Sequence, residues 1–307
     1  MGGQLKFDVS PSGHCRCGSG RTLSACCAIA GSLFKPESYT GPKPPRTWYA
    51  KNGCYAASHR DCDRVLSREH VVSRALLDFL NQPAPHRNTD ARSLVASGFP
   101  WLGLESKALP PSALATKVLC KRHNETLSAL DTAATRLFRF LDLPTDAPDL
   151  FIVSGHDIER WMLKVLCGLV ASKTASVTRH EPSYEVPSYW LDVLFGRERL
   201  KEEHGLYVPG VNDHVVGHRG VRLTTLERSQ TVCGLDVCLN EYRFILLLDE
   251  ARALAQQVGG EVLFHPCELH LLPGAGSAER SAVVSWEPRG TRTATYGLPF
   301  PRTAIII

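Results

Sequence analysis

The run Cys15-Arg-Cys17-Gly-Ser-Gly-Arg-Thr-Leu-Ser-Ala-Cys26-Cys27 places four thiols within thirteen residues near the start of the chain. Disulfides suit that spacing badly, because Cys-x-Cys and Cys-Cys neighbours close only small, strained rings. One tetrahedral ion suits it well: four thiolates at about 2.3 Å complete the shell of a structural Zn²⁺ site. Gly18 and Gly20 lie between the two thiol pairs and permit the tight turn that joins them. A closed four-thiolate shell leaves no position for water or substrate, so this quartet is expected to build structure rather than perform chemistry.

The 307 residues exceed an ordinary single domain, and two folded units plus a small metal module are expected. The opening residues Met1-Gly-Gly-Gln-Leu-Lys6 lack the apolar stretch of a secretory signal. No apolar run reaches the roughly 18 residues that span a bilayer, so no membrane partner is expected. Eleven cysteines in such a chain point to reduced thiols used for metal, and hence to the cytoplasm. The net charge of +4 is unevenly spread: residues 1–140 carry 19 Lys+Arg against 10 Asp+Glu, or +9, and the rest 16 against 21, or −5. A basic front half is the footprint of a polyanion-binding region, or else a solvated basic face.

After Cys27, residues 34–46 are rich in Pro and Gly and read as a tether for the metal module. Residues 54–80 carry a strand-and-turn pattern that leads into Val71–Leu80, and 81–116 read as an irregular insertion with Pro83, Pro85, Pro100, Pro110 and Pro111. Leu127, Leu130, Leu137, Phe138 and Leu141 recur at helical spacing, predicting a helix from His123 to about Leu141. A second helix is predicted over Asp157–Ala171, a shorter one over Tyr189–Leu200 and another over Ala251–Gln257. Strands are predicted at Val221–Leu226, Thr231–Cys238, Arg243–Leu248, Glu261–His265 and Ala282–Trp286.

Two segments carry candidate chemistry: Ser67-Arg-Glu69-His70-Val-Val-Ser-Arg74 and Val118-Leu-Cys120-Lys-Arg-His123-Asn124. An imidazole titrating near neutrality can serve as a general base. A carboxylate and an amide oxygen are hard ligands suited to Mg²⁺ or a similar divalent ion. Arg64, Arg68, Arg74, Lys121 and Arg122 flank both segments and could position a phosphate backbone. Elsewhere, Glu159–Lys164 is expected to pack as a core helix anchored by Trp161. His265-Pro-Cys267-x-x-His270 lacks a second ligand pair nearby, and no phosphate-cradling Gly loop or nucleophile elbow is present.

These residues resemble two families. Cys-x-Cys, eight residues and Cys-Cys, with Gly-Ser-Gly after the second thiol, is similar to the SEC-C zinc motif over residues 14–27. Glu69-His70-Val-Val followed by Cys120-x-x-His123-Asn124 resembles the HNH nucleases, the ββα-metal fold, with His123 standing where that family has its second Cys. The resemblance implies His70 as the base that deprotonates water and Glu69 and Asn124 as ligands of a catalytic divalent metal such as Mg²⁺. It also implies Arg68, Arg74, Lys121 and Arg122 on the nucleic acid. A second structural zinc would be held by Cys54, Cys62, Cys120 and His123, with His59 as an alternative ligand because Cys54 and Cys62 lie farther apart than usual.

The expected fold class is therefore α+β: a small four-cysteine zinc module over 1–33, a Pro-rich linker over 34–50, an HNH-like ββα-metal domain over 51–145, and an α+β domain with a mainly antiparallel sheet over 150–307. The expected function is metal-dependent cleavage of DNA. A non-catalytic zinc protein that binds nucleic acid, or a protein partner through the zinc module or C-terminal domain, is the alternative.

Overall fold

The computed structural model describes residues 12–29, 32–81, 94–97, 106–142, 150–174, 185–209, 211–212, 220–228, 231–240, 242–249, 262–271, 280–286 and 303–306. Its first part holds β1 (Ala28–Ile29), β2 (Ser32–Leu33), β3 (Leu66–His70), α1 (Arg74–Leu80), β4 (Leu94–Ser97), β5 (Lys107–Leu109), β6 (Ala115–Cys120) and α2 (Lys121–Leu141). There follow β7 (Leu150–Ser154), α3 (Gly155–Ala171), α4 (Ser188–Leu194), β8 (Gly205–Pro209), β9 (Val211–Asn212) and β10 (Gly220–Arg228). The last part holds β11 (Thr231–Leu239), β12 (Tyr242–Leu247), β13 (Val262–Phe264), β14 (Glu268–Leu271), β15 (Arg280–Ser285) and β16 (Thr303–Ile306).

The strands form a seven-stranded sheet in the order β13-β8-β12-β11-β10-β4-β5, a five-stranded sheet β7-β15-β14-β16-β9, and the pairs β3-β6 and β1-β2. The fold is α+β and mostly antiparallel, as expected, but β4 joins β10 in parallel and three pairings of the five-stranded sheet are parallel.

Helix α3 is the centre of the molecule. Fifteen of its seventeen residues are buried, the charged Asp157, Glu159, Arg160 and Lys164 among them, so the helix is enclosed on every side and its charges find partners inside. Ser154 caps it by accepting the Asp157 N–H at 3.4 Å. Trp161 is fully buried and tilts against Phe138 of α2 at 5.7 Å, which in turn meets Phe244 of β12 edge-on. One hydrophobic core runs from Cys54 through α2 and α3 to Val284, so both predicted larger units share it. No helix among the described residues is long and apolar enough to cross a membrane.

Most predicted elements appear within a residue or two of their expected bounds. Helix α4 is shorter than predicted, ending at Leu194, because Phe195 leads into Gly196 at φ 69, the left-handed turn that stops a helix. The predicted helix over 251–257 lies outside the described residues. Within the expected irregular insertion, Leu94–Ser97 becomes a strand because β10 offers it an edge to pair with.

The Pro-rich stretch, expected as a tether, has its backbone pinned. Ser285 Oγ donates to Lys35 O and accepts from Lys35 N–H, both at 2.9 Å. Ser38 donates through both N–H and Oγ to Asp157 at 2.7 Å, and Arg160 donates to Thr40 Oγ1 at 2.8 Å.

Candidate metal centres and buried charge clusters

Four sulfurs gather at the N-terminal quartet. The ligand atoms of Cys15, Cys17, Cys26 and Cys27 all lie within 4.8 Å of one another, with Cys17 Sγ 3.5 Å and Cys27 Sγ 3.7 Å from Cys26 Sγ. A tetrahedron with metal–sulfur bonds of about 2.3 Å has edges of about 3.8 Å, so the spacing fits one bound ion. Gly18 and Gly20 take φ 72 and 76, the left-handed values that make the connecting turn. Ser19 Oγ lies 3.1 Å from Cys26 Sγ, the kind of outer contact that orients a ligand. Leu23, Ile152 and the thiols form a small apolar cluster beneath.

The second cluster is the predicted set: Cys54, Cys62, Cys120 and His123, all buried and all within 4.8 Å. His123 Nδ1 stands 3.6, 3.8 and 3.2 Å from the sulfurs of Cys54, Cys62 and Cys120. A tetrahedral sulfur–nitrogen edge for zinc-sized bonds is about 3.6 Å. The long gap between Cys54 and Cys62 closes through a short 3-10 turn at Ala57–His59, followed by Arg60 at φ 50. His59, the alternative ligand, turns away: its Nε2 meets Asp192 of α4 at 3.2 Å and its ring sits edge-on to Phe195. Cys120 also ends β6 and starts α2, so a bound ion would grip both elements at their junction.

Thiols this close compete for protons. A hydrogen bond from Cys54 chiefly holds Cys120 down at about 3 despite burial, whereas that same contact and burial push Cys54 up. In the N-terminal quartet Cys27 likewise holds Cys17 at about 4 while being raised itself. Sulfurs that cannot all ionise together are what a cation resolves, because a bound cation deprotonates its thiol ligands outright.

The predicted catalytic residues are placed less evenly. Glu69 and His70 end β3, where Glu69 pairs in register with Thr116 and His70 with Ala115. His70 is half-buried, its Nε2 lacks a hydrogen-bond partner, and burial followed by Arg74 and Arg68 lowers its pKa, which keeps it neutral at neutral pH. Asn124 is half-buried in the first turn of α2; the cap is Cys120, so Asn124 is not spent on capping.

Glu69 is buried and directed at Lys164 of α3, with Oε1 at 2.9 Å from Nζ, while Asp131 of α2 holds the same ammonium at 2.7 Å. Glu69 Oε2, Asp131 Oδ1 and the buried Tyr55 hydroxyl have no hydrogen-bond partners among the described residues. Burial raises the Glu69 pKa against the pull of Lys164; for Lys164 burial is outweighed by Glu69 and Asp131, and its pKa rises. Asp131 supplies the second carboxylate of this arrangement, and nothing in the local sequence marked Lys164 as its partner.

Of the predicted nucleic-acid residues, Arg68 and Lys121 are exposed, Lys121 lying 3.7 Å from Glu125. Arg74 is exposed but paired with Asp78 at 2.9 Å. Arg122 is largely committed to the fold, bridging Asp61 at 3.2 Å and the backbone carbonyls of Lys43 and Pro45.

A further buried carboxylate was not singled out in the sequence. Glu159 accepts from His265 Nε2 at 2.6 Å, His156 Nδ1 at 3.0 Å and the Leu206 N–H at 2.9 Å. Burial alone would raise its pKa, but the two imidazoles win and bring it to about 2. Gly205 makes the approach possible, since a Cβ there would stand 2.1 Å from Glu159 Oε1. His265 is stacked between Phe264 and Trp286, each at 3.8 Å. This cluster ties α3 to β8 and β13, and the sequence signal for it was an acid on an otherwise apolar helix face. Comparison with protein-family models, curated proteins and solved structures finds no match for the chain.

Proposed function

We propose that the chain is a two-zinc protein whose β3-β6-α2 unit is an HNH-type phosphodiesterase acting on DNA. The observation that carries the reading is the Cys54-Cys62-Cys120-His123 cluster: it sits where β6 becomes α2, and β6 pairs with the strand that carries Glu69 and His70. Zinc is favoured by the donor set of seven thiols and one imidazole, gathered as two groups of four ligand atoms. The basic front half supports a polyanionic substrate.

In this reading His70 stays neutral and accepts a proton from the attacking water. Exposed Arg68 and Lys121 hold phosphates in place. A divalent cation, when bound, stabilises charge on the phosphate and the leaving oxygen. Plasmid DNA incubated with the purified protein and Mg²⁺ or Mn²⁺ should be nicked. His70→Ala should lower the rate at least about a hundredfold, the lower range for a general base, with circular dichroism and zinc content unchanged. Equal nicking by the His70→Ala protein sinks the mechanism.

The second reading, a non-catalytic zinc protein, is favoured by one observation. The Lys164 ammonium lies against Glu69 Oε1, the group that would otherwise face a divalent ion. A parent protein that holds two zincs yet never nicks DNA with any divalent ion would decide for it.

A further inference from the structure

Around the Cys54-Cys62-Cys120-His123 cluster lies a surface that neither the ligands nor the Glu69–His70 strand end uses. Residues 43–51 run alongside 59–65. The Cys62 N–H donates to Tyr49 O at 2.8 Å, the Thr47 N–H to Asp61 Oδ1 at 2.8 Å, and Arg46 Nη2 to His59 O at 2.7 Å. Arg122 ties this strip to α2 through Asp61 and Pro45 O, and Lys121 N–H donates to Val65 O at 2.9 Å. The strip is thus a fixed part of the fold.

Large apolar groups on it face outward. Trp48 is 69% exposed, Tyr49 41% and Val65 59%. Trp48 holds φ 56, a left-handed backbone that a bulky residue adopts only when its surroundings impose it. The Arg46 guanidinium covers one face of the indole at 4.4 Å, which braces the ring in its outward pose.

Charge completes the pattern. Residues 43–68 contain six Lys+Arg against two Asp, a net +4 that equals the whole chain's. Both aspartates are engaged: Asp61 is buried against Arg122 and Thr47, and Asp63 accepts the N–H groups of Arg64 and Val65. Lys43, Arg46, Arg60, Arg64 and Arg68 are all exposed. Fixed aromatic faces set among uncompensated cations match unpaired bases joined by phosphates. A duplex presents the phosphates but hides its bases' faces in its own stack.

We propose that Trp48 and Tyr49 form a stacking platform for single-stranded DNA, with Arg60 and Arg64 meeting its phosphates. The proposal rests on the reading of the chain as a DNA-acting protein and adds the form of strand it engages. The test uses the full-length, zinc-loaded protein and a labelled oligothymidylate, read by fluorescence anisotropy without added divalent ion. The single strand should bind more tightly than a duplex of equal length. Trp48→Ala and Tyr49→Ala should each weaken it at least about fivefold, the lower range for one stacked base, and Trp48→Phe should restore most of the loss. Arg60→Gln with Arg64→Gln should flatten the salt dependence. Unchanged binding in Trp48→Ala, a duplex bound as tightly as the single strand, or binding only to an acidic peptide would each overturn the platform. Binding is scored without cleavage, so the two readings fail separately. Tight strand binding by a protein that never nicks supports the platform and sinks the nuclease. Failure of the parent to bind the strand, with nicking intact, overturns the platform alone.

Discussion

Cys120→Ser should remove one of two zincs per chain and lower the unfolding temperature by roughly 10 °C or more. Cys120 occupies three roles at once: it faces His123 Nδ1 across the cluster, its sulfur accepts the Asp63 N–H at 3.3 Å, and it is the residue on which β6 ends and α2 begins. Structural zinc contributes about 10–16 kcal/mol of apparent folding free energy in small metal-dependent folds. A chain of this size has a total stability of about 5–15 kcal/mol. Losing even about 5 kcal/mol, at roughly 2 °C per kcal/mol for a large domain, gives the stated shift. Cys17→Ser should also remove one zinc but leave the main transition nearly in place, because among the described residues that quartet packs within a small apolar cluster of Cys15, Cys17, Leu23, Cys27 and Ile152, apart from the main core. Metal analysis with differential scanning calorimetry reads both results. Two zincs and an unshifted transition in the Cys120→Ser protein would remove the second metal centre.

Lys164→Met should destabilise the fold by about 3–5 kcal/mol, the range for removing one partner of a buried ion pair. The ammonium is buried and sits between Glu69 and Asp131, carboxylates from two different elements. Methionine fills much the same volume, so the loss is electrostatic: two acids remain with no counter-charge. Adding Glu69→Gln and Asp131→Asn should recover most of the loss, because neutral amides cost far less to bury than unpaired carboxylates. Denaturant unfolding of the single and triple variants measures both. A Lys164→Met protein as stable as its parent would show that the triad does not hold the molecule together.

The two candidate metal sites were largely legible because their code is short. Cys15, Cys17, Cys26 and Cys27 needed only a turn of two glycines, and Cys120 and His123 lie three residues apart at a helix start. Helices α2 and α3 announced themselves through apolar repeats, since periodicity is a property of the segment itself. Cys62 against His59 was harder: the gap from Cys54 is long enough that either could turn inward. Asp192 and Phe195 of a distant segment decide it by claiming the histidine.

What depended on long-range packing stayed out of reach. Residues Leu94–Ser97 became a strand because the edge of β10 was free, and the Pro-rich stretch was pinned because Asp157, Arg160 and Ser285 met its backbone. Glu69 reads locally as a metal ligand beside a base. In the fold α3 runs past it and delivers Lys164 to its carboxylate. The sequence by itself determined where metal can be gripped and which segments coil, because those depend on neighbours a few residues apart. Only the tertiary structure decided which charge each buried acid faces, because a low-dielectric core forces every ion to find a partner, and partners can come from anywhere in the chain.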